Sequence, residues 1–178
     1  MAAISEPGKK TAKMSVARFD GGFVIKVEGA GTMMESPVVH AFAEEVLSSP
    51  EGACAVFIDL GACTYVDSTF LGGLVSLFKR HGGPGRANRF AIYAAQPGRQ
   101  SLFGTSRLDR VLPFVEALPT LADETVPLES QGSTQREELG RYVVECHKRL
   151  AELGGPEAET FGKVAQAISD ELTLRRRT

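Results

Sequence analysis

A short, almost continuous apolar run, Ala53 to Leu60, constrains the fold most, because amphipathic helical segments flank it on both sides. Such a run is typical of a β-strand covered on both faces. Before it, apolar residues from Val38 to Leu47 recur at helical spacing, and Ser36-Pro37 provides an N-cap followed by proline at the first helical position. After it, the apolar face of a second helix is formed by Leu71, Leu74, Val75 and Phe78.

The remaining segments continue the alternation of strands and helices. Residues 15–28 predict a hairpin around Asp20-Gly21-Gly22, and Arg89 to Ala95 predicts a further buried strand. Tyr65 to Asp67 is expected to be a loop, Leu102-Phe103 a short helix, and Leu112 to Leu118 the last strand. The order of elements, joined by short loops, predicts an α/β fold with helices packed on a sheet.

Composition and turn residues divide the chain into five parts. We expect a disordered leader over residues 1–14, a compact domain over 15–119, a polar linker over 120–133, a helical hairpin over 134–173 and a basic tail over 174–178. In the hairpin, Ser133 or Thr134 is expected to cap the first helix, with Glu137 completing a capping box. The apolar faces of its two helices must be covered by the compact domain, by a second copy in a homodimer, or by a partner.

Several kinds of chemistry are disfavoured by the sequence. The net charge of -2 gives no drive toward nucleic acid, and no apolar run is long enough to span a bilayer, so we expect a cytoplasmic protein. The three cysteines and three histidines form no CxxC or HExxH spacing, and phosphate-loop and nucleophile-elbow motifs are lacking. We therefore predict no metal, no cofactor and no catalytic residue. Cys63 is interpreted as a packed residue, Asp59 as a structural carboxylate and His147 as lying on the polar flank of its helix.

One segment resembles a known family. The strand Val56-Phe57-Ile58-Asp59-Leu60, followed by Tyr65-Val66-Asp67-Ser68-Thr69 and Phe70-Leu71-Gly72-Gly73-Leu74, is similar to the signature of STAS domains, most of all their bacterial anti-sigma factor antagonist branch. The resemblance covers residues 15–118, and Ser106 to Val111 is similar to the family's segment before the last strand. It implies a mixed β-sheet with helices packed on one side, to which this chain adds a C-terminal two-helix extension.

The resemblance also implies a function and a site. It implies a non-catalytic regulator that binds a serine kinase/anti-sigma factor and is switched off when that kinase phosphorylates Ser68, with Thr69 as the alternative acceptor. A metal-dependent phosphatase of the PP2C type would reverse the modification. The implied partner-binding residues are Asp67, Ser68, Thr69, Phe70 and Gly72. Phe70 replaces the family's usual glycine, and we expect it to be an exposed aromatic anchor for a different kinase-like protein.

Three other interpretations remain open from the sequence. Asp67, Ser68 and Thr69 can be simply a helix cap, which is the usual role of these residues before an apolar helix. A STAS subunit of a membrane transport assembly, such as a lipid-export ABC transporter, would use the same helix to dock on an ATPase. A small-molecule or nucleotide binder rests on fold analogy and on glycine-rich segments such as Gly29-Ala30-Gly31.

Overall fold

The computed structural model describes residues 12–50, 54–82, 89–129 and 135–175. Its strands are β1 (Lys13–Phe19), β2 (Gly22–Gly31), β3 (Ala55–Asp59), β4 (Cys63–Val66), β5 (Phe90–Tyr93), β6 (Phe114–Val115) and β7 (Val126–Pro127). Its helices are α1 (Ser36–Leu47), α2 (Ser68–His81), α3 (Gly98–Phe103), α4 (Arg136–Ala151) and α5 (Ala158–Arg175), with a 3-10 turn at Leu108–Arg110.

The strands form one mixed sheet in the order β6-β5-β3-β2-β1-β7, and β4 pairs with the end of β2. β1 is antiparallel to both β2 and β7, whereas the pairs β2–β3, β3–β5, β5–β6 and β2–β4 are parallel. Helices α1 and α2 pack on the sheet and on each other. The predicted α/β fold, a mixed sheet with helices packed on it, is confirmed.

The first hairpin depends on two glycines with different roles. Gly21 has a φ of 106°, a conformation that side chains other than glycine rarely adopt. Gly22 begins β2 opposite Ala55, and a Cβ atom at Gly22 would lie 2.0 Å from the Ala55 carbonyl oxygen. The predicted turn therefore fixes both the hairpin and the close approach of β3.

Phe70 belongs to the core, so the expectation of an exposed aromatic anchor at this position is wrong. Its side chain is only 1% exposed. A Cβ atom at Gly31, in the last position of β2, would lie 3.0 Å from the Phe70 ring. The small residue in the strand leaves room for the ring beside the sheet, and the apolar ring is therefore removed from water.

The segment expected to be a loop before α2 contains strand β4. It extends the sheet beyond the end of β3 by pairing with Gly29, Ala30 and Gly31 of β2. The register shifts between Gly29 and Ala30, and Gly29 has a φ of 79°. The glycines considered above for a nucleotide-binding turn are thus strand residues at a bulge.

The segments around the compact domain also differ from the predicted boundaries. β1 already begins at Lys13, and the rest of the expected leader, residues 1–11, lies outside the described residues. The predicted last strand contracts to β6, which begins directly after Pro113, a residue with no N–H to donate to a sheet. The expected linker contributes β7, which pairs with Ser15 and Val16, and its Ala122 N–H donates to the Arg18 carbonyl at 2.8 Å.

The C-terminal extension forms the expected pair of helices, and α4 packs against α2 of the same chain. Gly154 and Gly155, between α4 and α5, have φ values of 73° and 92°, as a tight turn requires. The predicted caps Ser133 and Thr134 lie outside the described residues, and Gln135 is the N-cap of α4. α5 continues to Arg175, so the predicted tail begins within this helix.

Replacing Phe70 by alanine should lower the free energy of unfolding by about 3–5 kcal/mol, because a fully buried ring is lost and a cavity remains. The matched control is Tyr65→Ala, since Tyr65 is 57% exposed and its truncation should cost less than about 0.5 kcal/mol. Urea denaturation of both variants measures the difference. A similarly small decrease in the free energy of unfolding in both variants would contradict the buried position of Phe70.

Candidate functional site at the start of helix α2

Asp67 fixes the N-terminus of α2 through three hydrogen bonds. Its Oδ1 accepts from the Phe70 N–H at 2.8 Å, which is the side-chain bond of an N-cap. Its Oδ2 accepts from the Met33 N–H at 2.8 Å, and its own N–H donates to the Gly31 carbonyl at 3.0 Å. Asp67 therefore connects the loop after β2 to α2 and places Ser68 as the first helical residue.

Ser68 is partly exposed, and its hydroxyl is hydrogen-bonded to a histidine from the C-terminal extension. Ser68 Oγ lies 2.9 Å from Nε2 of His147, and Nδ1 of His147 lies 2.8 Å from the Val143 carbonyl oxygen. A carbonyl oxygen only accepts, so Nδ1 carries the proton of the neutral ring and Nε2 is an acceptor. The Ser68 hydroxyl consequently donates to His147.

The predicted position of His147 on the polar flank of its helix is wrong. Its side chain is buried, with 5% exposure, between α2 and α5. The ring also makes an edge contact with Phe161, at a centroid distance of 6.0 Å. A histidine between apolar positions is ambiguous in the sequence, and docking of α4 on α2 settles which way it faces.

Two adjacent glycines let α4 approach α2 closely. A Cβ atom at Gly72 would lie 2.4 Å from the Cys146 carbonyl oxygen, and one at Gly73 would lie 2.6 Å from the Tyr142 hydroxyl oxygen. That hydroxyl shares a hydrogen bond of 2.8 Å with Ser36 Oγ. Any larger residue at position 72 requires the α4 backbone to move.

Burial keeps the thiol and the phenol in the contact between α4 and α2 neutral. It raises the pKa of the Cys146 thiol to about 12 and also raises the pKa of the Tyr142 phenol. At the other end of the contact, Lys79 Nζ lies 2.8 Å from Glu152 Oε2 at the surface. The contact between α4 and α2 is thus neutral at its centre and charged at one edge.

The residues predicted to bind a partner differ in accessibility. Asp67 and Ser68 are partly exposed, whereas Thr69 and Phe70 are buried, with exposures of 4% and 1%. Gly72 is covered by α4. Within this structure, only the first two of the five predicted residues reach the surface.

Sequence reasoning missed the exposed apolar side chains beside Ser68. Met33 and Met34, in the loop held by Asp67, are 38% and 65% exposed, and Tyr65 of β4 is 57% exposed. Two consecutive methionines outside any apolar periodicity were the available signal. Exposed large apolar side chains are typical of a protein-binding surface where they form a contiguous patch.

An open cleft of about 360 Å³ lies in front of Ser68. It separates the end of β4 and the region of α3 from the start of α5, and Tyr65, Ser101, Ser106 and Phe161 are among the residues that line it. None of its described lining residues is a lysine or an arginine. The cleft gives solvent access to Ser68 without providing a cation for an anionic group.

Two further side chains have structural roles. Oδ1 of Asp59 accepts from the Gly61 N–H at 2.8 Å, so this carboxylate closes the turn after β3. Cys63 is 7% exposed, and burial raises the pKa of its thiol, as expected for a packed residue.

Neither a metal site nor a membrane span is found in the part of the chain that the structure describes. No three histidine, cysteine, aspartate or glutamate side chains in these ranges are grouped so that they could hold a metal ion. None of the helices over the same residues combines the length and apolarity needed to cross a bilayer.

Comparison with known proteins gives a match by structure. No family model and no curated protein sequence matches the chain. The fold is similar to the crystal structure of an anti-sigma factor antagonist from Mycobacterium paratuberculosis, with a TM-score of 0.50 and 22% sequence identity. The match covers 62% of this chain and 91% of that one. The predicted STAS-like architecture is therefore confirmed at the level of the fold.

Replacing Asp67 by alanine should lower the free energy of unfolding by about 1–2 kcal/mol, because α2 loses its cap. Asp67→Asn keeps one acceptor oxygen and should lose less. The control is Asp123→Ala, which removes only a surface pair with Arg18, and should cost less than about 0.5 kcal/mol. Urea denaturation compares the three variants, and equal losses for Asp67→Ala and Asp123→Ala would contradict the capping role.

Alkaline pH should weaken the folded state through Cys146. The unfolded thiol ionises from its ordinary pKa of 9.0, whereas the folded thiol stays protonated to about pH 12. The unfolded state therefore binds fewer protons in this range, and the free energy of unfolding falls as pH rises, by up to about 1.4 kcal/mol per pH unit. Chemical denaturation between pH 9 and 12 should show that the free energy of unfolding falls less steeply with pH in Cys146→Ala than in the wild type. The same slope in both proteins would contradict a buried, protonated thiol.

Proposed function

We propose that this protein is a non-catalytic regulator of the anti-sigma factor antagonist kind. In its unphosphorylated form it binds a serine kinase/anti-sigma factor through Ser68 and α2, so that a sigma factor is released. Phosphorylation of Ser68 ends this binding, and a PP2C-type phosphatase restores it. The observation that carries the proposal is the position of Ser68 as the first helical residue of α2, partly exposed at an open cleft.

A helix N-terminus suits a residue that is reversibly charged. The first N–H groups of α2 precede the regular hydrogen bonds of the helix, and Asp67 takes up only the Phe70 N–H among them. The positive end of the helix dipole stabilises a nearby anion by about 0.3–1 kcal/mol. The domain should therefore remain folded when Ser68 is phosphorylated.

The same charge is unfavourable in a protein–protein interface. Phosphorylation adds about -1.5 to -2 charge at pH 7, close to the Asp67 carboxylate. Desolvating such a group costs several kcal/mol, and about 1.4 kcal/mol corresponds to a tenfold change in affinity. A loss of partner affinity of at least about 100-fold follows.

The modification itself is an ordinary phosphoryl transfer. Ser68 Oγ forms a bond to the γ-phosphorus of ATP while the bond from that phosphorus to the β,γ-bridging oxygen breaks. ADP leaves, and the hydroxyl proton passes to the catalytic base of the kinase. Thr69, the alternative acceptor, is less suitable, because it is only 4% exposed.

The exposed side chains near Ser68 support a protein partner. Tyr65 offers apolar contact area in the lining of the cleft, and Met33 and Met34 offer more on the loop that Asp67 holds. A partner that covers these residues would also bring its own groups close to Ser68.

Incubation with ATP and the serine kinase/anti-sigma factors of the same genome tests the proposal. The intact mass should rise by about 80 Da, the mass of one phosphoryl group, in the wild type and in Thr69→Val but not in Ser68→Ala. Ser68→Asp should bind the same kinase at least about 100-fold more weakly than the wild type does.

Thr125→Asp is the control for the binding measurement, because Thr125 is an exposed residue next to β7. It adds the same charge away from the cleft and should bind the kinase as the wild type does. A mass gain that persists in Ser68→Ala, or equal binding by wild type and Ser68→Asp, would refute the phosphorylation switch.

A further inference from the structure

We propose that the helical extension formed by α4 and α5 is a built-in occupant of the α2 surface, which must detach before a kinase or partner gains full access to Ser68. This inference rests on the proposed function, since it concerns regulation of the same site. Three features of the contact between α4 and α2 support it.

The first feature is the hydrogen bond of the acceptor hydroxyl. The Ser68 hydroxyl donates a hydrogen bond to His147, with Oγ 2.9 Å from Nε2. The Val143 carbonyl holds the His147 ring in that orientation. In the proposed phosphoryl transfer the hydroxyl proton passes to the catalytic base of the kinase, so the hydroxyl must donate to that base in place of His147. Docked α4 therefore competes directly with the reaction at Ser68.

The second feature is the lack of space on α2. The Cys146 carbonyl lies so close to Gly72 that a single Cβ atom there would be 2.4 Å away. No partner side chain can enter between the two helices. A partner that uses this face of α2 and the docked α4 therefore exclude each other.

The third feature is the way in which the extension is held. Part of the contact consists of polar pairs that water can replace: Tyr142 with Ser36, His147 with Ser68 and Lys79 with Glu152. The apolar part is centred on Leu150, which is 2% exposed and belongs to the hydrophobic core, and Leu153 and Phe161 also pack against this core. A substitution at Leu150 should thus shift the balance toward the detached state.

Mutual exclusion has a quantitative consequence. When a protein is competent to bind only in a minor state, its apparent affinity falls in proportion to the population of that state. Coupling between two such equilibria is typically about 5- to 150-fold. Detaching the extension should raise the phosphorylation rate of Ser68 by a factor in this range.

The test compares two aspartate variants within the extension. Leu150→Asp places a carboxylate in the contact with the core, whereas Val164→Asp places the same group on α5 at a position that is 36% exposed. Iodoacetamide labelling followed by peptide mass spectrometry reports two buried thiols separately. Cys146 lies in the contact between α4 and α2, and Cys63 lies in β4 of the compact domain.

We expect Leu150→Asp to raise the labelling rate of Cys146 at least about tenfold and to leave that of Cys63 unchanged. It should also raise the phosphorylation rate of Ser68 by the kinase found in the preceding experiment. Val164→Asp should behave as the wild type in all three measurements. Labelling of Cys63 and Cys146 to the same extent would overturn the inference, because the extension would then be an inseparable part of the fold.

A second pair of variants covers the case in which Leu150→Asp stays docked. Gly72→Ala forces the α4 backbone away. Gly162→Ala is the matched control, because its added Cβ atom has no other atom within 4 Å. Protection of Cys146 in both Leu150→Asp and Gly72→Ala would overturn the inference. The inference would also be overturned if Cys146 became more protected from iodoacetamide as the protein concentration rises, since a second copy would then supply the extension.

The outcomes separate this inference from the proposed function. If Cys146 becomes exposed but the phosphorylation rate of Ser68 does not change, the extension does not limit access to Ser68. The proposed phosphorylation switch is not affected by that result. Absence of phosphorylation in the wild type and in the variants whose Cys146 is exposed refutes the proposed function itself. Faster phosphorylation of the detached variants than of the wild type supports both.

Discussion

The close approach of α4 to α2 at Gly72 and Gly73 determines how the rest of this surface is arranged. Glycine lowers helix stability by about 1 kcal/mol relative to alanine at each such position, so α2 gives up intrinsic stability for close packing. The gain is a contact in which Tyr142 and Cys146 are buried in neutral form. The same approach brings His147 to the Ser68 hydroxyl and so links the extension to the candidate site.

Periodic segments allowed much of the fold to be predicted. α2 spans Ser68–His81. A helix was predictable there because its apolar residues recur at helical spacing and the pattern ends at Gly82. β7 could not be predicted, since its exposed residues pair with β1 at an edge of the sheet and carry no apolar pattern. β4 was missed because Thr64 and Tyr65 are both exposed, so this strand lacks the alternation of buried and exposed residues, although both residue types are common in strands.

The candidate site was predicted only in part, because its features depend on contacts between distant segments. The sequence placed Asp67 and Ser68 at the start of α2 through local capping chemistry, which needs no tertiary information. The burial of Phe70 depends on the space left by Gly31, and the position of His147 depends on which helix α4 covers. Neither contact leaves a periodic signal in a single sequence.

The most direct measurement of the contact between the extension and Ser68 is the tautomer of His147, observed in the nitrogen NMR spectrum of histidine-labelled protein. When the His147 ring is neutral, its proton should be on Nδ1 and Nε2 should be unprotonated. Ser68→Ala should shift the Nε2 resonance, because its hydrogen-bond donor is removed. A protonated Nε2 at His147, unaffected by Ser68→Ala, would contradict the account.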